Sequence, residues 1–119
     1  MSRKNVVKTY KMLESEDLSV NITSSTTNVI NLDKASIVLE WSGTAPVGTV
    51  TIEATNDDPD KSPLWRELDF GSTISISGNT GNHDLIFNEL PFRAMRIQYV
   101  AGSGTGTLTA TLTSKTVGA

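Results

Sequence analysis

The nine residues Gly48-Thr49-Val50-Thr51-Ile52-Glu53-Ala54-Thr55-Asn56 decide the fold class. Val50, Ile52 and Ala54 alternate with Thr49, Thr51, Glu53 and Thr55. Successive side chains of a strand point to opposite faces, so this stretch predicts a strand with one dry side and one wet side. The same period of two extends along the chain in both directions. Residues 106–114 set Leu108, Ala110 and Leu112 against Thr107, Thr109, Thr111 and Thr113. Residues 92–101 set Met95, Ile97 and Tyr99 against Arg96 and Gln98. Ile74 and Ile76 lie between Thr73, Ser75 and Ser77, and Leu18, Val20 and Ile22 alternate with Ser19, Asn21 and Thr23. Residues 36–42 read as a more buried strand, with Ile37, Leu39 and Trp41 on one face and Val38 on the other. Weaker strands are expected at about 5–13, 27–32, 64–69 and 83–88.

Turn signals separate these runs. They fall at Ser24-Ser25, Asp33-Lys34, Gly43 to Gly48 around Pro46, Asn56 to Pro63, Gly78 to Asn82, Glu89 to Pro91 and Gly102 to Gly106. No window holds a helical period over three turns. Short strands at close spacing predict an all-β chain, an antiparallel β-sandwich of jelly-roll or Ig-like type with about 8–10 strands.

Composition agrees with a small globular domain. The chain has 119 residues, 37% hydrophobic and 19% charged, enough for one core and too short for two domains. Sixteen threonines and thirteen serines make up about a quarter of it. Threonine is β-branched and carries a hydroxyl, so it suits the wet face of a strand. There is no cysteine, which excludes disulfides, Cys-bound zinc, iron–sulfur clusters and thiol catalysis. The single histidine, His83, excludes metal sites and triads that need several.

Charge is unevenly spread. The net value is −3, yet residues 1–11 hold Arg3, Lys4, Lys8 and Lys11 without an acid, so that start carries +4 and the rest −7. Residues 1–13 are therefore expected to form a basic N-terminal arm or edge strand, and 14–119 a single sandwich domain. Val6, Val7, Tyr10, Met12 and Leu13 make the segment too apolar for a free tail. Arg3, Lys4, Lys8, Tyr10 and Lys11 become candidate partner-binding residues, and deletion of residues 1–12 is expected to leave the core folded. A chain of net negative charge is not expected to bind nucleic acid. Lys8 and Lys11 interrupt any secretion-signal core, and no apolar run spans a bilayer, so no membrane partner and cytosolic synthesis are expected.

The chemistry-bearing clusters read as structure. Asn56-Asp57-Asp58-Pro59-Asp60-Lys61 gathers three carboxylates but lacks the spacing of a calcium loop, so a turn is expected. His83-Asp84 lie next to each other on a strand and point to opposite faces, which makes a poor catalytic pair. Gly102-Ser103-Gly104-Thr105-Gly106 has no helix behind it to cradle a phosphate and is expected to be a hairpin loop. No catalytic, cofactor-binding or metal-binding residue is assigned. Trp41 is expected in the core. Trp65 breaks the alternation of Leu64-Trp65-Arg66-Glu67-Leu68 and is either a core residue at a bulge or a half-exposed anchor for a partner. Arg93 and Arg96 are expected on a solvated face.

The C-terminal two thirds resembles a known type of module. The residues that carry the likeness are Trp41-Ser42-Gly43-Thr44, Pro46-Val47-Gly48-Thr49-Val50, Thr55-Asn56-Asp57, Trp65-Arg66-Glu67-Leu68 and Ile76-Ser77-Gly78. They continue in Leu90-Pro91-Phe92-Arg93-Ala94-Met95-Arg96-Ile97-Gln98-Tyr99-Val100 and Gly102 to Leu108. Over residues 36–115 this resembles the small β-sandwich module of tailed-phage virion structural proteins, of head decoration, fibre or tail accessory type. The resemblance implies a non-enzymatic capsid decoration or accessory protein, made in the host cytoplasm and resident in the virion. It would bind the major capsid protein or another virion protein and form a homo-oligomer. The alternative it leaves open is a tail or adhesion-associated module that binds a carbohydrate or receptor through exposed aromatics, with Trp65 and Tyr99 as candidates. Residues 1–35 match no pattern.

Overall fold

The computed structural model describes residues 4–28, 34–68, 73–87 and 92–118. Its elements are β1 (Lys4–Asp17), β2 (Ile22–Thr23), β3 (Thr27–Asn28), β4 (Lys34–Thr55), β5 (Arg66–Glu67), β6 (Ile74–Ile76), β7 (Thr80–Phe87) and β8 (Ala94–Gly118). Every pairing is antiparallel. The chain is an all-β antiparallel sandwich.

Its architecture follows from two long strands. β4 has 22 residues and β8 has 25. At about 3.3 Å per residue a straight strand of β8's length would reach roughly 80 Å. The longest axis of the molecule is 53 Å, so these strands bend. They bend together, because their ladder runs from Lys34↔Lys115 to Thr44↔Thr105, shifts at Val47↔Ser103 and at Gly48↔Ala101, and continues to Thr55↔Ala94. β4 carries the extra residue at the first shift and β8 at the second.

Either side of the bend, different strands join the pair. The first sheet runs β1, the 106–118 part of β8, the 34–44 part of β4, then β7. The second runs β2 and β3, the 94–103 part of β8, the 47–55 part of β4, then β5 and β6. Two four-stranded layers connected in this order form a jelly roll.

The bulges explain how the core stays continuous. Before the bend the inward residues of β4 are Ala35, Ile37, Leu39 and Trp41, and after it Val50, Ile52 and Ala54. In β8 they change from Met95, Ile97 and Tyr99 to Leu108, Ala110 and Leu112. A one-residue slip turns every later side chain to the opposite face. One bulge in each strand therefore keeps the apolar side chains inside both layers, where they join one cluster with Met12, Leu13, Leu18, Ile74, Ile76 and Leu85.

Several contacts hold the bend. Gly104 has φ +78°, and a Cβ on it would lie 2.1 Å from the Ala45 carbonyl oxygen. Ala45 is itself at φ 45°. Asn79, in the turn before β7, accepts the Gly43 amide on its carbonyl (2.7 Å) and the Ala45 amide on Oδ1 (2.9 Å). From the crossing between β1 and β2, the Leu18 amide donates to the Gly106 carbonyl at 2.9 Å. The Tyr99 ring packs on Gly48, and its hydroxyl donates to the Leu18 carbonyl at 2.9 Å.

Three expectations change. The runs 36–42 and 48–56 form one strand, as do 92–101 and 106–114, so Gly43 to Gly48 and Gly102 to Gly106 are not loops. Glycine and threonine there serve a bulged ladder in which two backbones approach closely. Tyr99, expected to be exposed in the adhesion alternative, is 1% exposed at the centre of the fold. The expected turn at Glu89 to Pro91 lies outside the described residues.

Burial also pushes the Tyr99 hydroxyl above the ordinary tyrosine value of 10.0. A raised pKa means the folded state favours the neutral phenol, so this stability is present below pH 10 and is lost as pH rises through the folded-state value. Tyr99→Phe leaves the Leu18 carbonyl without its donor and should cost about 1–2 kcal/mol at neutral pH. Urea melts across pH 8–12 should show a steeper alkaline loss in the parent chain than in the variant.

Candidate functional site

The basic candidates fall on the edge of the first sheet. Lys4, Lys8, Tyr10 and Lys11 all belong to β1, paired with Gly118, Ser114, Leu112 and Thr111. Arg3 lies outside the described residues. Tyr10 is half-buried against the core and Lys11 is exposed. Met12 and Leu13 are buried, 4% and 3% exposed. The division at residues 13 and 14 thus falls inside a strand. A chain lacking residues 1–12 would lose most of this edge strand and the buried Met12 side chain.

β1 changes character along its length. Its ladder is regular from Lys4 to Lys11, then shifts between Lys11 and Leu13 and again between Leu13 and Glu16. Ser15 sits at φ 47° and turns its amide to the Thr109 hydroxyl at 3.0 Å. The lysines precede these bulges, and the exposed Glu14, Glu16 and Asp17 flank and follow them. Bulges and lysines are both common on edges that do not pair with another strand.

Trp65 occupies a different place. It lies over the outer face of the second sheet, with the Arg96 guanidinium carbon 4.3 Å from its ring centroid. Arg96 alternates with the buried Met95 and Ile97 and so points outward. Its Nε donates to Glu53 Oε1 at 2.8 Å, with the two side chains 24% and 20% exposed. Glu53 is also the cross-strand partner of Glu67. Like charges opposite one another destabilise a sheet, and Arg96 offsets that repulsion while it covers the indole. Trp65 is half-buried outside the central cluster, and the structure does not bring it together with the β1 lysines.

The acidic loop has local duties. Asp57 Oδ2 accepts the Leu64 amide at 2.8 Å, Asp58 Oδ1 accepts the Asp60 amide at 3.0 Å, and the Lys61 amide donates to the Asp58 carbonyl. Arg93 lies 3.8 Å from Asp58. These carboxylates fix the turn. An open cleft of about 210 Å³ beside the loop is lined by Asn56, Asp57, Leu64, Arg66 and Phe92, among others. It is smaller than the roughly 300–1,000 Å³ usual for ligand pockets. His83 is exposed on β7, opposite Leu39 in the neighbouring strand. Trp41 is in the core, where its indole N–H donates to the Ser77 carbonyl at 3.2 Å.

The remaining surface is the outer face of the first sheet. Thr107, Thr109, Thr111 and Thr113 of β8 lie beside Ser42, Glu40, Val38 and Ser36 of β4. Most of these side chains are half-buried by their neighbours. The sequence shows the threonine row, but the topology is needed to place β4 and β7 beside it.

No family model and no curated protein matches the chain. Solved structures share the fold. The SPBc2 prophage-derived protein YomS superposes with a TM-score of 0.59 at 12% identity, over 92% of this chain and 95% of that one. The structure of infectious bursal disease virus Gt strain gives 0.58 at 14% identity over 95% of this chain and 32% of its own. The VP2 subviral particle of infectious bursal disease virus gives 0.53 at 15% identity, over 95% and 33%. The chain thus spans about a third of the length of these virus proteins.

Arg96→Ala should uncover Trp65 and leave Glu53 facing Glu67. The expected result is a red-shifted tryptophan emission, greater quenching by acrylamide and a loss of about 1–2 kcal/mol in a thermal or urea melt.

Proposed function

We propose that this chain is a non-enzymatic structural protein of a phage virion, a capsid decoration or accessory protein that binds the head shell and self-associates. The observation that carries the reading is the jelly roll itself. The same fold extends over nearly the whole of a prophage-derived protein and recurs in a component of a viral particle. The residue-level resemblance to tailed-phage virion modules over 36–115 points the same way.

The site chemistry supports an assembly role. Side chains that would serve catalysis elsewhere have structural partners here: Asp57 and Asp58 hold a turn, and Glu53 and Arg96 pair across a sheet. β1 carries Lys4, Lys8 and Lys11 along one edge strand, and that strand is anchored in the core by Met12 and Leu13. Charge on such an edge would steer the protein to an acidic shell surface and set its register there.

Co-sedimentation of the purified chain with tailed-phage capsids assembled without it tests this reading. Saturable binding is expected, weakened about tenfold or more when Lys4, Lys8 and Lys11 are changed to Glu, and weakened also by salt. Binding to isolated tails instead of heads would reassign the location. Failure to bind any particle, with the chain absent from purified virions by mass spectrometry, would overturn the proposal.

A further inference from the structure

Two outward rows cross all four strands of the first sheet. One is Lys11–Thr111–Val38–Asp84, and the other Thr9–Thr113–Ser36–Ile86. The first carries opposite charges at its two ends and neutral residues between them. Lys11 and Asp84 are both exposed, and Ile86 is an apolar side chain left 80% exposed at the end of the second row. Among the outward positions of the two central strands, 36–42 and 107–113, Glu40 holds the one charge. Depletion of charge at the centre of a surface, with polar and charged residues at its rim, is the compositional mark of an interface.

We infer that this face seats a second copy of the same chain, the two related by a two-fold axis that runs parallel to the strands between the packed sheets. Such an axis places β1 of each copy over β7 of the other and lays each row upon itself in reverse. Lys11 then meets Asp84 of the second copy, and Asp84 meets its Lys11, so one row supplies two ion pairs. Thr111 and Val38 pack over each other across the centre, and Ile86 covers the Thr9 methyl group. The arrangement is isologous, the commonest form of closed self-association.

Two alternatives on the same sheet are weaker. Edge-to-edge addition of a second β1 along its regular part would set lysines beside lysines, and beyond Lys11 the bulges interrupt the edge. An unrelated acidic partner fits the lysines but leaves Asp84 at the far end facing a like charge. A second copy satisfies both ends of the row at once with residues this chain already carries.

The footprint sets the strength. Four strands about 4.8 Å apart and seven residues of about 3.3 Å each cover roughly 440 Å² per copy. That is well under the roughly 800 Å² per partner of a standard interface, which makes the dimer weak and dependent on concentration. The inference deepens the self-association part of the proposed function and rests on it.

Charge reversal tests it. Sedimentation velocity over a wide concentration series should show a monomer–dimer equilibrium for the parent chain that weakens with salt. K11E and D84K should each weaken the dimer about tenfold, and the double variant K11E/D84K should recover most of that loss. Ile86→Arg should also weaken it, and its exposure makes the variant safe for folding, with circular dichroism as the control. A parent chain that stays monomeric throughout, a dimer indifferent to both single reversals, or a double variant no better than the singles would overturn the interface. Capsid co-sedimentation of the parent chain, D84K and Ile86→Arg, which leave the β1 lysines unchanged, separates the two claims: a parent chain that stays monomeric and still binds shells removes the dimer and leaves the virion role standing.

Discussion

β4 and β8 remain hydrogen-bonded to each other while both turn from one layer of the sandwich into the other, and the rest of the fold is arranged around that shared bend. Each strand supplies an inner position to both sheets, so neither layer can form without fixing the other. The two bulges reset the facing of the side chains at the turn and keep the apolar series inside. Close backbone approach demands glycine at Gly104, where φ is positive, and Gly48 lets the Tyr99 ring lie flat against the chain. The β1–β2 crossing and the turn at Asn79 then tie their own backbones to the bend, which links four separate stretches of chain through a few hydrogen bonds.

Much of this was legible in the residues, and what was not has a physical cause. The alternation of Val50, Ile52 and Ala54 with threonine identified a half-buried strand, and the buried runs of β4, β6 and β8 obeyed the same period. The bulges of β1, by contrast, bury the adjacent Met12 and Leu13, and the turn after β1 leaves Val20 exposed. The apolar phase changes from odd numbers at Ile37 to Trp41 to even numbers at Val50 to Ala54, and again between Tyr99 and Leu108. Alternation alone reads such a change as two strands with a loop between them. Glycine-rich composition cannot tell a flexible loop from a bulged ladder, because both need small residues. Asp57 and Asp58 were readable as turn-makers because their partners lie within a few residues. The partner of Trp65 was not, since Arg96 is distant in sequence and only the pairing of β4 with β8 brings it near. The same limit hid the Lys11–Asp84 row, which crosses four strands drawn from separate parts of the chain.

The outer surfaces are what the rigid interior leaves for function. The second sheet carries a charged outer face on which Arg96, Glu53 and Trp65 satisfy one another. The first carries a nearly neutral face bordered by the edge strand that holds Lys11. The abundance of threonine accordingly serves two ends: it favours the extended backbone of long strands and it keeps the outer faces polar without charge. Surfaces that are polar but low in charge can be covered at little desolvation cost.

Amide hydrogen exchange by NMR tests the continuous bend most directly. The amides of Leu18, Gly43 and Ala45 donate to Gly106, Asn79 and the Asn79 side chain in the bent arrangement. They should exchange as slowly as the amides of the buried strand centres and far more slowly than those of the 56–63 loop. Exchange of all three at the rate of an open loop would mean that β4 and β8 are each two strands joined by free turns, and would contradict the account.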